Sequence, residues 1–160
     1  MPASWMIVDV ELVSGRGEFM EPRPGRQMLV GPKHTMEQFA RAIDLAFARW
    51  DLSHLSMFAL SGDRQVLDWE PDWEPDSDVG RPAFRAGIVT LADMDLGEGA
   101  RFQYVFDMGD DWAHECVVTA VGVRPREAYG ATPRLPVAVW GWGSMPDQYG
   151  RLSRDDDELD

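Results

Sequence analysis

Between residues 102 and 118 the chain alternates so strictly that a β-hairpin is the reading that fits it. Phe102, Tyr104 and Phe106 interleave with Gln103, Val105 and Asp107. After Met108-Gly109-Asp110-Asp111, the residues Trp112, His114, Cys116 and Val118 interleave with Ala113, Glu115, Val117 and Thr119. Strand side chains have a period of two, so each set falls on one face and the glycine-centred segment between them makes the turn.

The clearest helix starts at Thr35. Thr35 and Gln38 form a capping box, and Met36, Phe39, Ala40, Ile43, Phe47 and Trp50 recur at helical spacing on one face. Glu37 and Arg41 add an i, i+4 pair. Trp5 to Val13 reads as a first strand, Arg26 to Val30 as a second, and His54 to Ser61 as another that alternates Leu55, Met57 and Ala59 against Ser56, Phe58 and Leu60. Residues 18–25 and the stretch after Gly122 hold proline and glycine and read as irregular. Thr90 to Met94 reads as a short helical turn, and Val137 to Trp140 as a last edge strand. The fold class expected is α+β: one domain, residues 1–152, in which a mostly antiparallel sheet packs one face on the Thr35–Trp50 helix.

The 160 residues carry 28 acids and 15 bases, a formal charge of −13. Eleven of the acids lie in two places, the loop Asp68–Asp78 and the tail after Arg154. The rest balances at 17 acids to 15 bases, so the acidity belongs to an inserted loop and a tail, 153–160, that reads as disordered. Lys33 is the one lysine, which makes direct nucleic-acid binding an unfavourable reading. One cysteine, Cys116, leaves no intramolecular disulfide and no multi-cysteine metal site, and its flanking valines suggest a core thiol. The N-terminus reaches Asp9 and Glu11 before any long apolar stretch, and no run approaches the ~20 residues of a membrane helix, so the expectation is a cytoplasmic protein.

Motifs for nucleotide hydrolysis, Rossmann cofactors, zincin proteolysis and α/β-hydrolase chemistry are absent from the sequence. What remains is Asp107-x-x-Asp110-Asp111-x-x-His114, with His54 and Cys116 as additions. His54, Asp107, Asp110, Asp111 and His114 are the candidate catalytic set. Asp110, Asp111 and His114 are candidate ligands for a divalent metal, magnesium or manganese through oxygen and zinc through imidazole; no other cofactor is indicated. The competing reading has Asp110 and Asp111 as turn residues bonding local backbone N–H groups, and His114 as a core histidine paired with Asp107. Four tryptophans are candidate partner contacts. Trp69 and Trp73 lie in the tandem Asp-Trp-Glu-Pro repeat, and Trp140 and Trp142 flank Gly141 near the C-terminus.

Phe102 to Val118 resembles the signature hairpin of the plasmid pRiA4b ORF-3-like family, in which an aromatic strand runs into Y-D-F-G-D-x-W-x-H. Trp50-Asp51-Leu52-Ser53-His54-Leu55-Ser56-Met57-Phe58 is similar to that family's W-x-x-x-H-L-x-x-F segment, and Pro146 to Gly150 resembles its C-terminal cluster. The resemblance spans roughly residues 5 to 150 and implies an α+β domain often encoded on plasmids and transposable elements. It brings no reaction with it. The function expected is a non-enzymatic accessory module that binds a protein partner, a basic one if the acidic loop takes part. The alternative is a metal-dependent hydrolase or nuclease-like enzyme built on the Asp/His hairpin.

Overall fold

A computed structural model describes residues 4–69 and 83–150. Among these residues nine strands form one sheet: β1 Trp5–Gly15, β2 Glu18–Phe19, β3 Gly25–Val30, β4 Ser56–Ala59, β5 Gln65–Leu67, β6 Ala83–Arg85, β7 Arg101–Phe106, β8 Trp112–Val123 and β9 Val137–Trp142. The order across the sheet is β6-β5-β4-β7-β8-β1-β3-β9, with β2 paired to β1. Every pairing is antiparallel except β5 with β6. This is the α+β single domain expected. The expected hairpin, β7–β8, sits at the sheet's centre, and its register places Phe102 opposite Cys116, Tyr104 opposite His114 and Phe106 opposite Trp112.

Those residues face the helix α1, Met36–Ala46, which buries Met36, Phe39, Ala40 and Ile43 against them. Phe39 stacks on Phe58 at 5.5 Å between centroids, and Phe58 meets Phe102 and Tyr104 at 6.0 and 4.7 Å. Each such ring removes 150–250 Å² of surface from water, so this cluster ties helix to sheet. Thr35 caps α1 as expected: its hydroxyl accepts the Gln38 N–H, and the Gln38 side chain accepts the Thr35 N–H. The N–H groups of Met36 and Glu37 donate to the carbonyls of Val89 and Ala86, so the first turn is also held by the chain after β6.

The helix ends at Ala46, four residues before the expected Trp50, and Trp50 is exposed. A Schellman turn stops it. The Ala48 N–H donates to Leu45 O and the Arg49 N–H to Asp44 O, which places Ala48 in the left-handed region at φ +59°. That position ordinarily takes glycine, because a Cβ there costs roughly 1–2 kcal/mol. Ala48→Gly is therefore expected to stabilise the protein by roughly 0.5–1 kcal/mol, read as a higher chemical-denaturation midpoint.

Several elements depart from expectation: β2 forms within residues 18–25, where irregular chain was expected, and β4 keeps only Ser56–Ala59 of the expected strand His54–Ser61, with 3-10 helix at Ser61–Asp63. β5 and β6 have three residues each, too few for a period of two to show, and Pro125–Tyr129 makes a single helical turn, α2, where irregular chain was expected. Thr90–Met94 forms the expected turn, as 3-10 helix at Ala92–Met94 with Thr90 and Asp93 bonding each other's N–H. Residues 70–82 and 151–160, which hold most of the acidic loop, Trp73 and the acidic tail, lie outside the described residues.

Candidate functional site

Under the hairpin lies a buried polar network. The Schellman turn folds Arg49 back over the end of α1, where it is 4% exposed. Its Nη2 donates to His114 Nε2 at 2.8 Å, and its Nη1 stands 3.5 Å from Asp44 Oδ1. The guanidinium is boxed by the rings of Phe47, Phe106 and Trp112, 5.4–5.6 Å from their centroids, an arrangement favourable for a weakly hydrated cation. The Tyr104 hydroxyl lies 2.9 Å from both oxygens of Asp44 and donates to that carboxylate. Trp112 fits here because Gly15 opposite it has no side chain; a Cβ would overlap the indole.

His114 is 1% exposed, and its Nδ1 is 2.9 Å from Tyr104 O. A carbonyl only accepts, so Nδ1 carries the proton and Nε2 is the lone pair that accepts from Arg49. Burial, with Arg49 beside it, holds the imidazole neutral by pushing its pKa well below the usual value. Burial likewise raises the Cys116 thiol far above its ordinary range, so it is an inert core group. Burial pushes Asp44 up to about 7, against the pull of Arg49 and Tyr104.

A second cluster sits at the surface. Asp107, left-handed at φ +66°, organises the hairpin tip: its Oδ1 accepts the N–H groups of Gly109 and Asp110 at 3.0 and 3.2 Å. Its Oδ2 is 3.5 Å from His54 Nδ1. His54 Nε2 is 2.6 Å from the Tyr149 hydroxyl, which donates to Asp51 Oδ2 at 2.6 Å. Asp51 Oδ1 accepts from the Ser53 hydroxyl and N–H, and these bonds with Tyr149 hold its carboxyl well below the usual carboxylate range. The bond to Asp51 in turn pushes Tyr149 up to about 12. Gln148, 2% exposed, clamps this segment: Oε1 accepts the N–H groups of Trp50 and Asp51, and Nε2 donates to Asp51 O.

The candidate catalytic set is thus split. His54 and Asp107 come together at the surface, whereas His114 is buried with Arg49, Asp44 and Tyr104. Phe106 touches both His54 and Arg49. Asp107 is the partner of His54 rather than of His114. The turn carboxylate is Asp107 rather than Asp110 or Asp111, because the bend that closes the tip brings the Gly109 and Asp110 N–H groups back onto the residue at its start. Among the described residues no three His, Cys, Asp or Glu side chains gather to hold a metal ion, so Asp110, Asp111 and His114 do not converge. Asp44, Arg49, Asp51, Gln148 and Tyr149 were not singled out by sequence reasoning. One signal existed: Asp44 falls four residues after Ala40, in phase with the buried stripe of α1, and a charge there requires a buried partner.

The tryptophan strip is the other candidate. β9 ends the strand order, and its outer edge faces no strand among the described residues. Trp140 is 62% exposed and lies 5.7 Å from Trp142, centroid to centroid. Trp142 lies over Gly25 and donates its Nε1–H to Arg23 O, while Arg26 lies over Gly141 and donates to Trp142 O. Trp69 is half-buried beside Arg85 and Ile88.

A crystal structure of a protein of unknown function from Methanosarcina mazei Go1 superimposes with a TM-score of 0.68 at 16% identity, over 92% of this chain and 75% of that one. The likeness shows a shared fold. No curated protein matches the chain. Among the described residues no helix is long and apolar enough to cross a membrane. The family model for plasmid pRiA4b ORF-3-like protein matches residues 18–148, a span that contains α1, the His54 segment, the whole β7–β8 hairpin and Gln148. The chain belongs to the plasmid pRiA4b ORF-3-like family.

Proposed function

We propose that this chain is a non-enzymatic interaction module, accessory to a plasmid or transposable element, that takes an extended segment of a protein partner along the outer edge of β9. The observation that carries the reading is Trp140, 62% exposed on the outermost strand with Trp142 beside it. A terminal strand offers backbone donors and acceptors to an added strand, and exposed indoles supply the apolar contact that such interfaces use. Val137 at the start of the same strand and Leu135 just before it are also exposed. The acidic segment Asp68–Asp78, with Trp69 and Trp73, gives a basic partner a second, salt-sensitive contact.

Occupancy of the polar groups favours this reading over catalysis. Both nitrogens of His54 and of His114 face hydrogen-bonding or ionic partners, and the Tyr149 hydroxyl bridges His54 and Asp51. A general base needs a lone pair directed at substrate. The metal-dependent hydrolase reading would require Asp110 and Asp111 to meet His114, which is buried on the core side of the hairpin.

Trp140→Lys tests the proposal, because a charge on the edge strand opposes strand addition while the position is already exposed. The wild-type chain, Trp140→Lys and a chain lacking residues 70–78 would serve as baits in host-cell extract, with retained proteins quantified by mass spectrometry. The expected result is a partner retained by the wild type, reduced at least tenfold by Trp140→Lys, a loss of about 1.4 kcal/mol or more, and retained more salt-sensitively by the wild type than by the deletion. Equal recovery by wild type and Trp140→Lys would contradict it.

A further inference from the structure

The Asp44–Arg49 ion pair stands open. Arg49 Nη1 is 3.5 Å from Asp44 Oδ1, whereas a charge-assisted N–H···O bond closes to about 2.7–2.9 Å, and this buried Nη1 makes no hydrogen bond. The hydrogen bonds that Asp44 does make come from Tyr104, a group able to donate to a carboxylate or accept from a carboxylic acid. A small cavity between α1 and β4–β5 is lined by Glu37, Arg41, Asp44, His54, Ser56 and Asp68 among others, so Asp44 borders a polar space rather than close-packed apolar side chains alone.

Arg49 is also mechanically connected to the surface. It follows left-handed Ala48 and immediately precedes Trp50 and Asp51, whose backbone Gln148 clamps and whose Asp51 carboxylate holds Tyr149. We propose that Asp44 and Arg49 form a proton-operated switch: ionised Asp44 draws Arg49 Nη1 into a hydrogen bond, protonated Asp44 releases it, and the shift passes through Ala48 and the Trp50–Asp51 backbone to Gln148 and Tyr149.

The groups that face Asp44 set its working range. Arg49 from the turn, Arg41 on the same helix and Tyr104 on β7 favour the carboxylate; Asp68 after β5 opposes it, and burial opposes it most, pushing it up to about 7. Glu37 lines the same cavity, and Ser56 on β4 is 3.5 Å from Asp68. His114, behind Arg49, stays neutral and supplies no competing charge. With burial raising Asp44 towards neutrality, the proposal places the transition near neutral pH. The switch does not depend on the β9 reading.

The test follows the Asp44 carboxyl carbon, the Gln148 side-chain amide and the Tyr149 backbone amide by NMR in the full chain between about pH 5 and about pH 8. Asp44 is expected to titrate with a midpoint near 7, and the Gln148 and Tyr149 signals to move with that same midpoint. The shared transition should survive in His54→Gln and vanish in Asp44→Asn. A Gln148 or Tyr149 transition that disappears in His54→Gln, or one that persists in Asp44→Asn, would overturn the proposal. So would an Asp44 carboxyl that titrates while those two amides stay still, or one that does not titrate in this range. Should Asp44→Asn not fold, the wild type and His54→Gln decide the matter alone.

Discussion

Replacing Arg49 with leucine is expected to destabilise the protein by about 3–5 kcal/mol at pH 8, measured by urea denaturation. Leucine fills part of the box formed by Phe47, Phe106 and Trp112, so the loss arises from charge rather than from volume. Asp44 is left buried beside Tyr104 with no guanidinium, and His114 Nε2 loses its donor. The sign of the pH dependence follows from Asp44. Burial raises its folded pKa to about 7 from an unfolded value near 4, so the folded protein holds the proton more tightly and this group's contribution to stability falls as pH rises through that window. Without Arg49 the folded value rises further. The variant's deficit is thus expected to be smallest near pH 4, where the folded Asp44 is protonated in wild type and variant alike, and largest near pH 8.

Phe58→Ala is expected to cost about 3–5 kcal/mol by the same measurement. Phe58 is 1% exposed and touches Phe39 from the helix and Phe102 and Tyr104 from the hairpin, so its removal opens a cavity where α1, β4 and β7 meet. Phe58→Leu keeps most of the volume and should cost less than half as much. A difference that small between wild type and Phe58→Ala would mean that the helix is held to the sheet by other contacts.

The parts of this fold that were legible in the sequence are those written locally. The hairpin shows because its strand positions repeat a period of two on both sides of the turn, and the helix start shows because Thr35 and Gln38 bond each other across a single turn. The helix end does not show. Ala48 occupies a position that glycine usually marks, and nothing in its identity announces a left-handed residue. β5 and β6 are legible only through their pairing, which joins residues on either side of the acidic loop.

The site was legible only in part. His54, Asp107 and His114 stood out as residue types, but which of them meet is decided across the fold. Arg49 and His114 are 65 residues apart, Asp44 and Tyr104 are 60 apart, and Gln148 reaches back 98 residues to Trp50. The Asp107–His54 contact likewise depends on β4 lying beside β7, a neighbour relation that the loop between them does not encode. Exposure of Trp140 follows from β9 being outermost, which proline, glycine and strand propensity suggested without proving.

The central claim is that the polar residues of the hairpin are structural and that His114 is a neutral, buried acceptor for Arg49. Long-range proton–nitrogen NMR of the histidine rings, recorded from about pH 8 down to about pH 5 and then with millimolar zinc or manganese, tests this directly. The prediction is a His114 ring that keeps its proton on Nδ1 throughout and does not respond to metal. A protonated His114 within that range, or a metal-dependent change in its ring signals, would contradict it.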